Sequence, residues 1–283
     1  MTTGSLRRRA VAAAALAMSG LLALSACGGD SGDDSATGTK VPGVKLVSSG
    51  KLKTCTNLPY PPFQYEEGGK VVGFDVDMID LVAKKLGVTQ EIVNIDFDVI
   101  KSGAALNANR CDVAAAGMTI TDERKQNLGF SRPYFPEVLG LLVKKGAGIT
   151  SVDDVKAKNA KLGVQADTTS QDYAKSKGIA GARQYKDSGK QLLALQSGAI
   201  DVVLQDLPVV NGWLKKPEVS GKFELAAEIP TGAQYGFAVK KTGSEELLKV
   251  INETITSAIQ DGTWKATYKK WVGSDPKTMP AEG

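Results

Sequence analysis

The sequence predicts an α/β fold built as two lobes, and three observations carry that prediction. At 283 residues the chain exceeds what one typical domain core holds. Apolar runs of strand length alternate with stretches of helical period, the pattern of a parallel sheet with helices on both faces. One spacing also occurs twice. Leu106 precedes Asp112-Val113 by the interval at which Leu195 precedes Asp201-Val202, and five residues beyond each Asp stand Gly117 and Asp206. Two corresponding strands thus end in polar positions at the carboxyl edge, where open α/β sheets bind ligands.

The N-terminus reads as an export signal. Residues 1–26 contain the basic Arg7, Arg8 and Arg9 and an apolar run from Ala10 to Leu24, and they end in Leu24-Ser25-Ala26 immediately before Cys27. The layout is that of a signal peptide, too short for a membrane span. Residues 24–27 resemble a bacterial lipobox in which Cys27 is lipidated; a plain cleavage site with an incidental Cys is the alternative. Residues 27–43 are Gly, Ser, Asp and Thr with little apolar content, the composition of a flexible tether. The expected localisation is therefore export, with a lipid anchor at the outer face of the cell membrane. In that oxidising compartment Cys55 and Cys111 are either a disulfide or two buried thiols.

The body is predicted element by element. A strand over 52–57 ends at Leu58-Pro59-Tyr60-Pro61-Pro62-Phe63, where the prolines stop pairing. There Tyr60 and Phe63 either fill the core or face a pocket. Gly73-Phe74-Asp75 opens a helix closed by Gly87. A strand over 91–95, a helix over 97–107 and a strand over 112–117 complete a β-α-β-α-β half. A strand over 138–143 crosses into the second lobe. There Ser151 caps a short helix, a strand covers 161–165, and Thr168-Thr169-Ser170 starts the next helix. A strand (183–186), a helix (188–196) and a strand (201–205) follow. A strand over 235–240 returns the chain to the first lobe, and a long amphipathic helix (244–261) and a turn carrying Trp264, Tyr268 and Trp271 finish it. The domains are then 44–139 with 236–283 for lobe 1, and 140–235 for lobe 2 with its hinge strands.

Composition narrows the chemistry. Hydrophobic residues are 42% and charged residues 23%, an ordinary globular balance. Without Arg7 to Arg9 the chain carries 32 basic against 31 acidic residues, which argues against nucleic acid. The chain has no histidine, so Ser-His and Cys-His nucleophile pairs and histidine metal sites are excluded. Three scattered cysteines do not make a zinc site, and no cofactor or metal is expected.

Positive candidates lie at the strand tips. Gly117, Thr119 and Arg124 gather a carbonyl, a hydroxyl and a guanidinium suited to a small zwitterion. Arg124 would clamp a carboxylate, helped by amides at Thr119 and at the helix start near Thr169. Asp206 would face it from the other lobe and take an ammonium, so that a ligand bridging the two favours lobe closure. Singly, Arg124 serves equally as a partner of Asp122 or Glu123, and Asp206 as an N-cap before Leu207-Pro208. The matching tips favour function.

Leu-Pro-Tyr-Pro-Pro-Phe at 58–63, Val-Gly-Phe-Asp-Val-Asp at 72–77, Gly-Met-Thr-Ile-Thr-Asp-Glu-Arg at 117–124 and Phe-Ser-Arg-Pro-Tyr at 130–134 resemble the family 3 extracellular solute-binding proteins, as do Thr-Thr-Ser at 168–170 and Tyr-Gly-Phe-Ala-Val at 235–239. The resemblance implies two Rossmann-like lobes joined by two crossing strands, the periplasmic binding protein-like type II fold. It implies a monomeric receptor that delivers a polar amino acid to ABC permease subunits. Residue by residue it implies a side-chain pocket at Asn57, Tyr60, Phe63 and Phe97. It implies α-carboxylate and α-ammonium binders at Gly117, Thr119, Arg124 and Thr169, and the lobe 2 acid at Asp206. With Asn57 where members that hold cationic side chains often have an acid, a neutral or acidic polar amino acid is expected. Asp167 stands where members often have Gly, which puts the anion site near Thr169 in question. The alternatives are a cyclohexadienyl dehydratase-like enzyme on the same fold and a sensor domain; the tether favours a receptor, and the short stretch after the last helix argues against a sensor.

Overall fold

A computed structural model describes residues 39–281. The predicted signal peptide (1–26), the Cys27 lipidation site and the tether as far as residue 38 lie outside the described residues. Residues 39–43, assigned above to the tether, belong to the body. The Lys40 N–H donates to the Leu86 carbonyl at 2.7 Å, and Val41 packs against the core.

In chain order, β1 (Lys51–Thr56) leads through the proline turn to a hairpin of β2 (Tyr65–Glu67) and β3 (Lys70–Val72). Helix α1 (Phe74–Leu86) follows, C-capped by Gly87 and burying Phe74, Met78, Ile79, Val82 and Leu86 along one face. After β4 (Thr89–Asn94), the helix expected over 97–107 is two pieces, α2 (Phe97–Lys101) and α3 (Ala104–Asn107). Gly103, at φ 79°, takes the left-handed backbone between them, which ends a helix readily. β5 is only Val113–Ala114, shorter than the predicted 112–117, because the chain turns out of the sheet toward Gly117. Helix α4 (Asp122–Lys125) and β6 (Leu128–Phe130) precede the crossing strand β7 (Phe135–Lys144).

The second lobe runs α5 (Val152–Ala157), β8 (Leu162–Gln165), α6 (Thr169–Ser176), β9 (Arg183–Tyr185), α7 (Ser188–Gln196), β10 (Val202–Asp206), α8 (Leu207–Leu214) and α9 (Pro217–Ser220). Ser151 forms a reciprocal capping box with Asp154, which fixes the start of α5. The chain returns along β11 (Phe223–Tyr235), thirteen residues long, and β12 (Ala238–Lys240), so the strand expected over 235–240 is the last residue of β11 and all of β12, and the stretch 223–234 is a strand beyond that expectation. Helices α10 (Glu245–Gln260) and α11 (Thr263–Val272) then pack on α1.

Each lobe holds one five-stranded sheet, in orders β4-β1-β5-β12-β6 and β11-β7-β10-β8-β9. Three neighbouring strands of each pair in parallel, as predicted, but both sheets are mixed. β12 runs antiparallel to β5 and β6, and β7 runs antiparallel to β10 and β11. These antiparallel strands are the crossing strands and the return from them, so their direction follows from the path between lobes. The predicted boundaries at 140 and 235 fall within β7 and at the end of β11.

Where the crossing strands leave the first lobe, a buried aromatic cluster fills the core. Tyr134 stacks on Phe237 with centroids 4.0 Å apart, and Phe63 meets Phe135 edge-on at 4.9 Å. Cys55 and Cys111 are joined by a disulfide, Cα to Cα 5.6 Å, tying β1 to the segment before β5. Among the described residues no helix is long and apolar enough to cross a membrane.

Candidate functional site

The carboxyl ends of β1, β5, β8 and β10 meet at a cavity between the lobes. Asn57, Tyr60, Phe97, Gly117, Thr119 and Arg124 line it from the first lobe, and Thr169 and Asp206 from the second. Ala116, Gln165 and Thr168 complete the lining. The space not filled by protein atoms is about 340 Å3, mouth included. Eight of the nine expected ligand-binding positions are therefore together. The ninth, Phe63, is not in the lining. It is wholly buried one layer behind, among Tyr60, Phe74, Phe135 and Tyr235. Of the two readings of the Pro-rich turn, Tyr60 takes the pocket and Phe63 takes the core.

Arg124 stands on α4, whose N-cap Thr121 accepts the Arg124 N–H at 3.2 Å. Its guanidinium donates to the Thr119 carbonyl (2.8 Å) and to the Asp167 carbonyl of the other lobe (3.2 Å), and lies 5.3 Å from the Phe97 ring centroid. Two of its five donors are used this way. The bonds and the cation–π contact hold the fork in one orientation at 6% exposure. Burial lowers its pKa and the Glu137 charge counteracts this.

Asp206 ends β10 as the residue before α8, but its side chain makes no capping bond. It turns into the cleft instead, 2.5 Å from the Tyr60 hydroxyl, which donates to it across the lobes. Burial and then the Glu137 charge push its carboxyl up to about 7, against the Tyr60 bond and Arg124.

Gly117 requires its residue type. At φ 55° it sits in the left-handed region, and a Cβ there would come within 2.9 Å of the Tyr60 ring. Its N–H donates to Asp75 of α1 at 2.8 Å, and the Tyr134 hydroxyl donates to the other Asp75 oxygen at 2.8 Å. Burial raises the Asp75 carboxyl to about 7 despite these bonds.

Asp167 adopts φ 66°, a conformation that glycine takes without penalty. Its N–H is taken by Gln171 Oε1 at 2.7 Å and its carboxylate meets Lys101 of the first lobe at 3.0 Å. Its carbonyl serves Arg124. The Asp thus contributes a contact between the lobes and not an amide for an anion.

At the far end of the cavity four amides form a chain. Gln165 donates to Asn57 Oδ1 (3.1 Å), Gln205 donates to Gln165 Oε1 (3.2 Å) and Gln191 Oε1 (3.0 Å), and Gln191 donates to the carbonyls of Gly163 (3.0 Å) and Leu204 (3.2 Å). Asn57 donates in turn to the Ile95 carbonyl at 3.0 Å.

The sequence reading passed over Asp75, the Gln205-Gln191 pair and above all Glu137. Glu137 is 3% exposed on β7 and accepts from the hydroxyls of Thr119 (2.5 Å), Thr169 (2.6 Å) and Thr231 (2.6 Å). A lone acid within the apolar run 134–143 was the available signal.

Residues 52–274 match the bacterial extracellular solute-binding proteins, family 3. A probable histidine-binding protein of Neisseria gonorrhoeae is 33% identical over 268 residues, covering 93% of this chain and 95% of the relative. The ABC transporter glutamine-binding protein GlnH of Bacillus subtilis is 29% identical over 270 residues, 93% of this chain and 97% of that one. Among solved structures, an ancestral arginine-binding protein bound to glutamine superposes with a TM-score of 0.73 at 36% identity, over 80% of this chain and all of that one.

Proposed function

Since the chain belongs to the bacterial extracellular solute-binding proteins of family 3, we propose that its cleft captures a polar amino acid with a neutral side chain and delivers it to an ABC importer. One observation carries the reading of the site. Arg124 and Asp206, opposite in charge and both nearly buried, face one cavity from different lobes. The α-carboxylate meets Arg124 and the α-ammonium meets Asp206, so a zwitterion compensates both charges and joins the lobes. Asn57, Gln165, Tyr60 and Phe97 then surround the side chain. Of the neutral and acidic classes expected from Asn57, the neutral one fits better. Amides can both donate and accept, whereas an anionic side chain needs a second cation, and among the described residues Arg124 is the sole cation in the lining. The protein works as an exported monomer held to the membrane by a lipid on Cys27, with permease subunits as its macromolecular partner.

A thermal-shift screen of the mature protein against the twenty amino acids tests this, since a ligand of the folded state raises the melting temperature. A rise with one or two neutral polar amino acids is expected. Arg124→Ala and Asp206→Ala should each weaken calorimetric binding by about 100-fold or more, because each strands a buried ligand charge (about 3 kcal/mol). Either variant binding as tightly as wild type refutes the site. One observation favours a second reading. A carboxyl at about 7, as Asp206 has, is tuned for proton transfer near neutral pH. If no amino acid raises the melting temperature, prephenate-type acids and their dehydration products are the next assay, for a dehydratase-like role without a cofactor.

A further inference from the structure

Glu137 is the buried acid that the proposed ligand contacts leave unused. Its Oε1 accepts from Thr119 at the strand tip of the first lobe and from Thr169 at the start of α6 in the second. Its Oε2 accepts from Thr231 on the other crossing strand. The two hydroxyls on Oε1 lie 3.5 Å apart and both belong to the cavity lining. One carboxylate on the hinge thus binds the hydroxyl pair nearest the proposed carboxylate clamp. Three hydroxyl donors suit an anion.

We propose that Glu137 is a specificity-determining residue that acts through Thr119 and Thr169, fixing a negative charge behind the hydroxyl pair so that the cleft discriminates against ligands of more negative net charge. The inference rests on the amino-acid reading of the cleft. Around the cavity Arg124 is one cation, faced by Asp206 and Glu137, so with Asp206 ionised the local balance is negative before any ligand enters. Asp75, behind Gly117, adds an acid and no cation. The two carboxylates also sense each other, since the Glu137 charge is second only to burial in raising Asp206. An extra negative charge on a ligand meets this field across a buried site, where screening by salt is weak. With the hydroxyls of Thr119 and Thr169 directed at Glu137, the α-carboxylate depends chiefly on Arg124. The geometry assigns selectivity to Glu137, and affinity to the groups that touch the ligand.

The test is calorimetric affinity of wild type and Glu137→Gln for two pairs that differ by one charge, glutamine with glutamate and arginine with citrulline. The amide keeps the shape, and the threonine hydroxyls can rotate to accept from it. In each pair that binds, the more negative member should gain on its partner by fivefold or more in the variant. Loosened structure would weaken both members alike and leave the ratio in place. A ratio that changes by less than fivefold overturns the proposal. Should the glutamine variant not fold, Glu137→Thr is read by the same ratio and the same threshold. Wild type that binds no amino acid overturns the functional reading itself and this inference with it, a result distinct from an unchanged ratio.

Discussion

Asp75→Asn should make the protein more stable, and more so at pH 8 than at pH 5. The Asp75 carboxyl is wholly enclosed between α1, Gly117 and Tyr134, and burial raises it from 3.8 to about 7. Between those values the folded state holds a proton that the unfolded chain has released. Stability therefore falls as pH rises through this window, and the loss is complete above about pH 7. At about 1.36 kcal/mol per pH unit the wild-type penalty is roughly 1–2 kcal/mol at pH 5 and at most about 4 kcal/mol at pH 8. Asparagine has no proton to lose. Its Oδ1 can accept the Gly117 N–H, and its amide can donate to a rotated Tyr134 hydroxyl. The variant's advantage should then grow by about 2–3 kcal/mol between the two pH values, a shift of roughly 1 M in urea midpoint. Urea unfolding of both proteins at pH 5 and pH 8, without added amino acid, reads it directly. Equal pH dependence in wild type and variant would refute the assignment of the buried proton to Asp75.

Two further predictions follow from charge and topology. Ligand affinity should fall about 100-fold from pH 8 to pH 5, because an ammonium needs the ionised Asp206 and that carboxyl titrates near 7; calorimetry across pH checks this, and a flat profile counts against Asp206 as the ammonium site. Replacing both Cys55 and Cys111 by Ala should cost about 2–4 kcal/mol in urea unfolding, since the bridge closes a loop with a separation of 56 residues.

What could be read in the sequence is what is decided locally. Helix α7 runs from Ser188 to Gln196 as predicted, and Ser151 caps α5, because each start is set by residues within one turn. What was missed depends on partners far along the chain. β11 carries Pro230 and Gly232 and little continuous apolar character, and it is a strand because β7 pairs with it over most of its length. Phe63 and Tyr60 share one turn and similar chemistry, and only the packing of Phe135 and Tyr235 decides which faces the cavity. Asp206 reads locally as a helix cap, and Tyr60 from the other lobe draws it elsewhere. The β2-β3 hairpin is different, since Gly68-Gly69 between short strands is a legible turn that the reading overlooked. Glu137 lies between these cases. Its isolation among apolar residues was visible, but its three threonines come from three separate segments.

The chain of amides behind the cavity has a sense of direction. Backbone carbonyls can only accept, so those of Gly163 and Leu204 compel Gln191 to turn its NH2 toward them and its oxygen toward Gln205. Gln205 must then donate, and each link repeats that orientation until Gln165 offers an N–H to Asn57. The face that the second lobe shows to the first is thus anchored by peptide groups in its interior, those two carbonyls at Gln191 and the Asp206 N–H, which donates to Gln205 Oε1 at 2.9 Å. A substitution at Gln191, outside the cavity lining, removes one link, and the Asp206 N–H and the Ile95 carbonyl still hold Gln205 and Asn57 in the sense an arriving side chain meets.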